Sequence, residues 1–155
     1  MGTVVSKEAL AVRLDELRSE GKSIVSTNGC FDILHVGHVR ILKQSREMGD
    51  VLVVGINSDA SVKRLKGEDR PINNQDDRAE LLSSLECVDF VSIFDEGTPV
   101  EFLKSVKPNI HVKGADYKPE NLEETPVVES FGGEVRILPL VPQKSTTSLV
   151  EKIRS

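Results

Sequence analysis

The chain contains no tryptophan, a single tyrosine and five phenylalanines, so aromatic residues make up only 4% of its 155 residues. Cysteine is almost as rare. Cys30 and Cys87 are the two present, and their separation matches neither a CxxC pair nor a zinc-finger spacing, so they read as a reduced pair in a cytoplasmic protein. No apolar run approaches bilayer-spanning length, the longest lying around Val51–Ile56, and the N-terminus carries no long apolar targeting stretch. Positive charge is in deficit. Lys and Arg total 20 against 25 Asp and Glu, a net charge of −5, so the surface as a whole attracts neither nucleic acid nor an anionic membrane. What is present, 38% hydrophobic and 29% charged residues, is the make-up of an ordinary globular protein. The length predicts one domain over residues 1–155.

The apolar pattern alternates between strand-like and helix-like stretches. Ser6 is a candidate cap for a helix that places Leu10, Leu14 and Leu17 on one face. Ser23–Thr27 reads as a strand, followed by a turn over Asn28–His35 and a helix through Val39 and Leu42 to about Met48. Val51–Ile56 is near-continuously apolar, as expected of a buried parallel strand. Ser58–Asn74 is polar and charged and reads as a loop with room for a turn of helix. Asn73 or Asn74 caps a helix through Leu81, Leu82 and Leu85, and Val88–Phe94 is the next strand. Thr98–Pro99 opens a short helix to Val106. Ile110–Val112 is a strand, Asn121–Phe131 a helix interrupted by Pro126, Glu134–Leu140 a strand, and Leu149–Ile153 a last short helix. Strands alternating with helices predict an α/β fold, a doubly wound open parallel sheet of about five strands. Ligands of such sheets bind beyond the carboxyl ends of the strands.

One such end carries the segment Asn28-Gly29-Cys30-Phe31-Asp32-Ile33-Leu34-His35-Val36-Gly37-His38. His35 and His38 are three residues apart, so on a helix both imidazoles lie on one face. The free N–H groups at a helix start favour a phosphate, and Gly37 leaves room for an anion beside the backbone. Two imidazoles there can hold the α-phosphate of a nucleoside triphosphate during in-line attack. Two readings stand beside this one. The histidines can be ordinary residues at a helix start, or a metal pair completed by Asp32, Cys30 or His111, none of which has a characteristic ligand spacing. Among the other polar residues, Lys63 and Arg64 read as solvated. Gly67 gives Lys66 a loop able to close over a phosphate. Arg78 is expected to clamp a substrate phosphate or to pair with Asp76, Asp77 or Glu80. Asp32 is expected to orient a histidine or meet the substrate, or else to cap its turn. His111, inside an apolar strand, reads as a core histidine.

The run from Thr27 to His38 resembles the signature of the HxGH nucleotidyltransferase superfamily, an aromatic-Asp pair followed by HxGH. More closely, the chain resembles the adenylyltransferase domains of ADP-heptose synthesis. The matching blocks are TNGCFDILHVGH (27–38), GINSDASVKRLKGEDRPIN (55–73), VKGADYKPE (112–120), GGEV (132–135) and STTSLVEKI (145–153). HxGH marks the superfamily; the RLKG-x-x-RP and VKG-x-DY blocks narrow it. Many relatives fuse this domain to a sugar kinase, for which this chain has no segment of sufficient size.

The resemblance implies a Rossmann-like nucleotidyltransferase fold and transfer of AMP from ATP to D-glycero-β-D-manno-heptose 1-phosphate. It implies catalytic roles for His35, His38 and Lys66. Nucleotide contacts are implied for Asn28, Gly29, Cys30, Phe31, Gly37, Lys113, Gly114, Asp116, Ser145, Thr146 and Thr147, and substrate contacts for Asp32 and Arg78. Mg²⁺ is expected with ATP, held by phosphates and water, with no protein ligand assigned. The partners implied are ATP, a sugar 1-phosphate and a second copy of the chain in a homodimer. The chain departs from the related glycerol-phosphate cytidylyltransferases, which carry an R-T-x-G-I-S-T-T block where this one has Val141-Pro142-Gln143-Lys144 before Ser145. A cytidylyltransferase acting on a polyol or amino-alcohol phosphate, and a non-catalytic nucleotide-binding module, are the alternative functions.

Overall fold

A computed structural model describes residues 2–114, 119–139 and 146–154, with the backbone alone at 146–148. In chain order the elements are β1 (Thr3–Val4), α1 (Lys7–Ser19), β2 (Ile24–Gly29), α2 (Val36–Glu47), β3 (Val51–Asn57), α3 (Asp59–Lys66), α4 (Gln75–Ser83), β4 (Phe90–Phe94), α5 (Val100–Val106), β5 (Ile110–Gly114), a 3-10 turn (Pro119–Asn121), α6 (Glu124–Ser130), β6 (Glu134–Leu138) and α7 (Thr146–Arg154). The strands form one six-stranded sheet in the order β1-β4-β3-β2-β5-β6, and every pairing is parallel. The expected doubly wound sheet is thus present, with one strand more than anticipated. The extra strand, β1, is a two-residue edge, too short to show any alternation in sequence.

The alternation of side chains along each strand divides the core in two. Ile24, Val51, Val53 and Val135 face Leu10, Leu14 and Leu17 of α1, Phe102, Leu103 and Val106 of α5, and Val128 of α6. Val25, Leu52, Val54, Ile56, Val91 and Val112 point the other way, onto Leu42 of α2 and Ala79 and Leu82 of α4. All seven residues of β3 are buried, which is why its sequence is apolar without alternation. Gly55 serves one of these layers by being small: a Cβ there would lie 2.8 Å from the Phe102 ring.

The helices start where short polar side chains can take up free N–H groups. Ser6 accepts from Ala9 N at 3.2 Å and Asn74 from Asp77 N at 2.9 Å. The stretch after β3 holds more helix than the single turn expected, since Asp59–Lys66 is helical. Ser58 caps it by accepting from Ser61 N at 3.1 Å, and it buries only Ser61 and Val62, too little apolar surface to mark a helix in sequence. Pro126 does not interrupt α6, because it falls in the first turn, where a missing N–H costs nothing. Among the described residues, no helix is long and apolar enough to cross a membrane.

The chain works outward from β2 in one direction through β3 and β4, and in the other through β5 and β6. The order reverses between β2 and β5. In an open parallel sheet the crevice for a ligand lies beyond the carboxyl ends of the strands at that reversal. Gly29 ends β2 and Gly114 ends β5, so both segments singled out in sequence emerge there.

Candidate nucleotide-binding site

Leaving β2, the chain turns through Phe31, whose φ of 47° is in the left-handed region. That conformation is costly for a residue with a Cβ, and such strain is concentrated at functional sites. It folds the Phe31 ring back over Gly29, where a Cβ would meet the ring at 2.9 Å, and sets it 5.1 Å from the His38 ring. His35 is the N-cap of α2. Its Nδ1 accepts from Gly37 N at 3.0 Å, and His38 Nδ1 accepts in return from His35 N at 3.3 Å. The two rings stack with centroids 3.8 Å apart and planes inclined by 23°.

This reciprocal cap fixes the tautomers. A ring nitrogen that accepts an N–H bond carries no proton, so the proton of each neutral ring sits on Nε2. Both histidines therefore hold an Nε2–H donor at the positive end of α2. Burial, and after it the neighbouring His35, lower the His38 pKa to about 4. His38 is thus neutral near pH 7, and an arriving phosphate raises its proton affinity. The folded state binds fewer protons than the unfolded chain between pH 6.5 and about 4, so this group makes stability fall as pH falls through that window. Chemical denaturation at pH 7 and pH 4.5 is expected to show a smaller acid loss in His38→Phe than in the parent chain. An unchanged acid loss would place His38 in a solvated, ordinary environment.

Asp32 and Arg78 occupy positions other than those expected. Asp32 is 1% exposed and does not line an open substrate site. Its carboxylate accepts from Arg70 Nε at 2.8 Å, from Ile72 N at 2.8 and 2.9 Å, and from Asn73 N at 2.8 Å. Burial alone would raise its pKa, but the Asn73 and Ile72 N–H groups and Arg70 outweigh burial and lower it. Asn73 Nδ2 also donates to the Asp32 carbonyl at 2.7 Å. Asp32 is therefore a clamp that fastens the loop after α3 to the HxGH turn. Arg78 is likewise no phosphate clamp, for it is fully buried. Nε donates to Asn73 O at 3.0 Å, Nη1 to Cys30 O and Asn57 O at 2.7 and 2.8 Å, and Nη2 to Asp59 at 2.9 Å. Its acidic partner is Asp59, not Asp76, Asp77 or Glu80. The guanidinium holds together the ends of β2 and β3 and the start of α4.

Lys66 is exposed at the end of α3, before Gly67 with its φ of 111°. Its charge reaches Cys30, whose thiol pKa is raised by burial against the opposing effects of Lys66, Arg78 and Arg70. Arg64, read as solvated, is exposed and also donates to Asp95 O. Arg154 of α7 binds Asp69 at 2.7 Å, which ties the last helix to the loop that follows Lys66. Lys113 and Gly114 end β5 at the sheet reversal. Thr146 and Thr147 begin α7. Asp116 and Ser145 lie outside the described residues, as does Tyr117. His111 is buried, as expected, but it bonds to Ser26 and to Asn28, a connection that no spacing announces. No three His, Cys, Asp or Glu side chains converge on a metal-sized site among the described residues.

Residues 26–152 match the family described as cytidylyltransferase-like. The bifunctional protein HldE of Geotalea uraniireducens is 52% identical over 148 residues, covering 96% of this chain and 30% of that protein. HldE of a Nitratiruptor species is 59% identical over 140 residues, covering 90% of this chain and 29% of the relative. The chain thus spans about 30% of the length of these relatives. Among solved structures, the lipopolysaccharide core biosynthesis protein of Thermoplasma volcanium is 36% identical, with a TM-score of 0.64 over 78% of this chain and 98% of that one. Pantoate-beta-alanine ligase of Francisella tularensis, solved in complex with beta-gamma ATP and beta-alanine, shares the fold at a TM-score of 0.65 and 14% identity. The match across most of the chain, together with the paired histidines at the sheet reversal, shows that the chain belongs to the cytidylyltransferase-like family.

Proposed function

We propose that this chain transfers AMP from ATP to D-glycero-β-D-manno-heptose 1-phosphate, releasing pyrophosphate. The observation that carries the reading is the stacked pair His35 and His38 at the start of α2, whose Nδ1 atoms both accept backbone N–H bonds. The similarity to HldE along 96% of the chain supports the heptose substrate. The sugar phosphate oxygen attacks the α-phosphorus in line. The new O–P bond forms as the bond from the α-phosphorus to the bridging oxygen breaks, and pyrophosphate leaves with that electron pair. The nucleophile is already an anion, so no general base is required. The imidazole donors and Lys66 stabilise charge that grows on the phosphate oxygens. A Mg²⁺ carried in by the triphosphate and its waters would neutralise phosphate charge. Reliance on ATP and two free thiols supports a cytoplasmic setting.

The test is pyrophosphate release with ATP and CTP against a panel of sugar and polyol phosphates. ATP with the heptose 1-phosphate is expected to give the highest kcat/KM. A preference for CTP with a polyol phosphate would replace this reading with the cytidylyltransferase one, and ATP binding without turnover on any acceptor would leave a binding module.

Two further expectations attach to this reading. Thr146 and Thr147 stand at the first turn of α7, where hydroxyl and backbone donors suit the β- and γ-phosphates. The double variant Thr146→Ala/Thr147→Ala is expected to raise KM for ATP while leaving apo melting nearly unchanged. A loss of about 1 kcal/mol in apo stability with unaltered ATP kinetics would reduce these residues to helix caps. The chain is also proposed to act as a homodimer, since the sheet has open edges. Light scattering at high micromolar concentration is expected to give twice the chain mass, and a monomer mass would overturn this.

A further inference from the structure

The two strands that flank the sheet reversal share a polar seam. Ser26 and His111 are in register across β2 and β5, and Asn28 is two residues along β2, on the same face. The neighbouring positions on that face, Ile24, Val53 and Val135, are apolar. Ser26 and His111 are both 0% exposed. His111 Nδ1 is 2.7 Å from Ser26 Oγ, and Nε2 is 3.1 Å from Asn28 Oδ1. A carboxamide oxygen only accepts, so Nε2 carries the proton and Nδ1 accepts from the Ser26 hydroxyl.

Packing does not call for this arrangement. A leucine in the place of His111 and an alanine in the place of Ser26 would fill an apolar layer with no polar group to satisfy. What the imidazole adds is a grip on Asn28. That residue is only half-buried and ends on the crevice side, directly before Gly29 and the HxGH turn. With Oδ1 held by His111, the Asn28 Nδ2 amide has no acceptor among the described residues. The orientation matters chemically. A freely rotating carboxamide presents its oxygen to the crevice about as readily as its NH₂, and an oxygen repels a phosphate where an NH₂ binds it. Burial, and then the charge of Lys113, keep the His111 pKa down at about 3, so the ring holds one proton throughout the neutral range.

We propose that His111 is a positioning residue: anchored by Ser26, it turns the Asn28 oxygen into the sheet and presents the Asn28 NH₂ to the phosphates of the bound nucleotide. The inference rests on the adenylyltransferase reading for its ligand. His111 itself touches no substrate.

The test is a double-variant cycle on the whole chain, using His111→Leu, Asn28→Ala and the two combined. It is read by calorimetric ATP binding, by pyrophosphate-release kinetics and by apo melting. Each single variant is expected to weaken ATP binding and kcat/KM by about tenfold, the scale of one lost hydrogen bond to a charged group. The combined variant should be no weaker than Asn28→Ala alone, because His111 acts only through Asn28. His111→Gln, whose amide can donate to Asn28 Oδ1, should recover part of the loss. If His111→Leu does not fold, Ser26→Ala and His111→Gln take its place in the same cycle, with smaller losses that again vanish in the Asn28→Ala background. Losses that multiply in the combined variant would overturn the proposal, as would lowered apo stability with unchanged ATP affinity. A parent chain that binds ATP but transfers AMP to no acceptor sinks the adenylyltransferase reading alone, and the binding cycle still decides the role of His111. A parent chain that binds no ATP overturns both.

Discussion

Replacing His38 with alanine is expected to lower kcat by about 10²–10³-fold while the fold survives, the scale of removing one preorganised donor from a developing oxyanion. The surroundings of His38 sharpen this expectation. His38 is neutral, with a pKa lowered to about 4 by burial and by His35, and its Nδ1 is engaged by His35 N. The remaining Nε2–H has one thing to offer, a hydrogen bond that strengthens as negative charge accumulates on a phosphate oxygen. Loss of that bond should appear in kcat and kcat/KM together, with a smaller effect on ATP binding in the ground state. His35 needs a different substitution, because it is the N-cap of α2 and its ring accepts from Gly37 N. His35→Ala removes a cap and a donor at once and mixes a stability loss with a catalytic one. His35→Asn keeps a capping acceptor and removes the Nε2–H, so it should retain the apo melting temperature and still lose turnover on the same scale. The measurement is steady-state pyrophosphate release beside apo melting. Turnover within a few-fold of the parent chain in either His38→Ala or His35→Asn would remove the histidine pair from the chemistry.

The parts of the molecule that could be read in sequence are those whose cause is local. Caps are local, so Ser6 and Asn74 announce α1 and α4. Burial on both faces makes Val51–Ile56 apolar throughout, and that run names a central parallel strand. The HxGH turn is a short stretch whose residue types already contain its chemistry. The parts that could not be read depend on partners distant along the chain. Asp32 is paired with Arg70, 38 residues away, and Arg78 reaches Cys30, 48 residues away. A carboxylate beside an HxGH motif and an arginine beside a basic loop look available for substrate, and only the fold shows that each is consumed by the scaffold. The same holds for His111. Its apolar strand identified it as buried, but Asn28 lies 83 residues before it, and the parallel register that joins them is not written in either segment. Helix α3 reads as no more than a turn for the opposite reason, because its cap is local but its buried apolar face is a single valine.

Arg78→Met is expected to destabilise the chain by about 3–5 kcal/mol, the scale for breaking a buried, hydrogen-bonded charge. Methionine replaces the aliphatic stem of the side chain but none of its donors. The carbonyls of Cys30, Asn57 and Asn73 lose their bonds to the guanidinium, and a buried acceptor left without a donor costs on the order of 1–3 kcal/mol. Asp59, the ionic partner, is 37% exposed, so water can take over there and the loss falls mainly on the carbonyls. Lysine should not rescue the position, since one ammonium cannot serve acceptors on three sides of a planar fork. For a domain of this length the expected loss corresponds to a fall in melting temperature of roughly 10 °C or more. A substrate clamp would behave differently: a solvent-facing arginine that grips a phosphate raises KM when removed and leaves apo stability nearly intact. Urea denaturation of the apo chain, read beside KM for both substrates, separates the two. An Arg78→Met chain as stable as the parent but with a tenfold higher KM for the sugar phosphate would return Arg78 to the substrate site, and the four bonds it makes in the folded chain would then have to break when substrate binds.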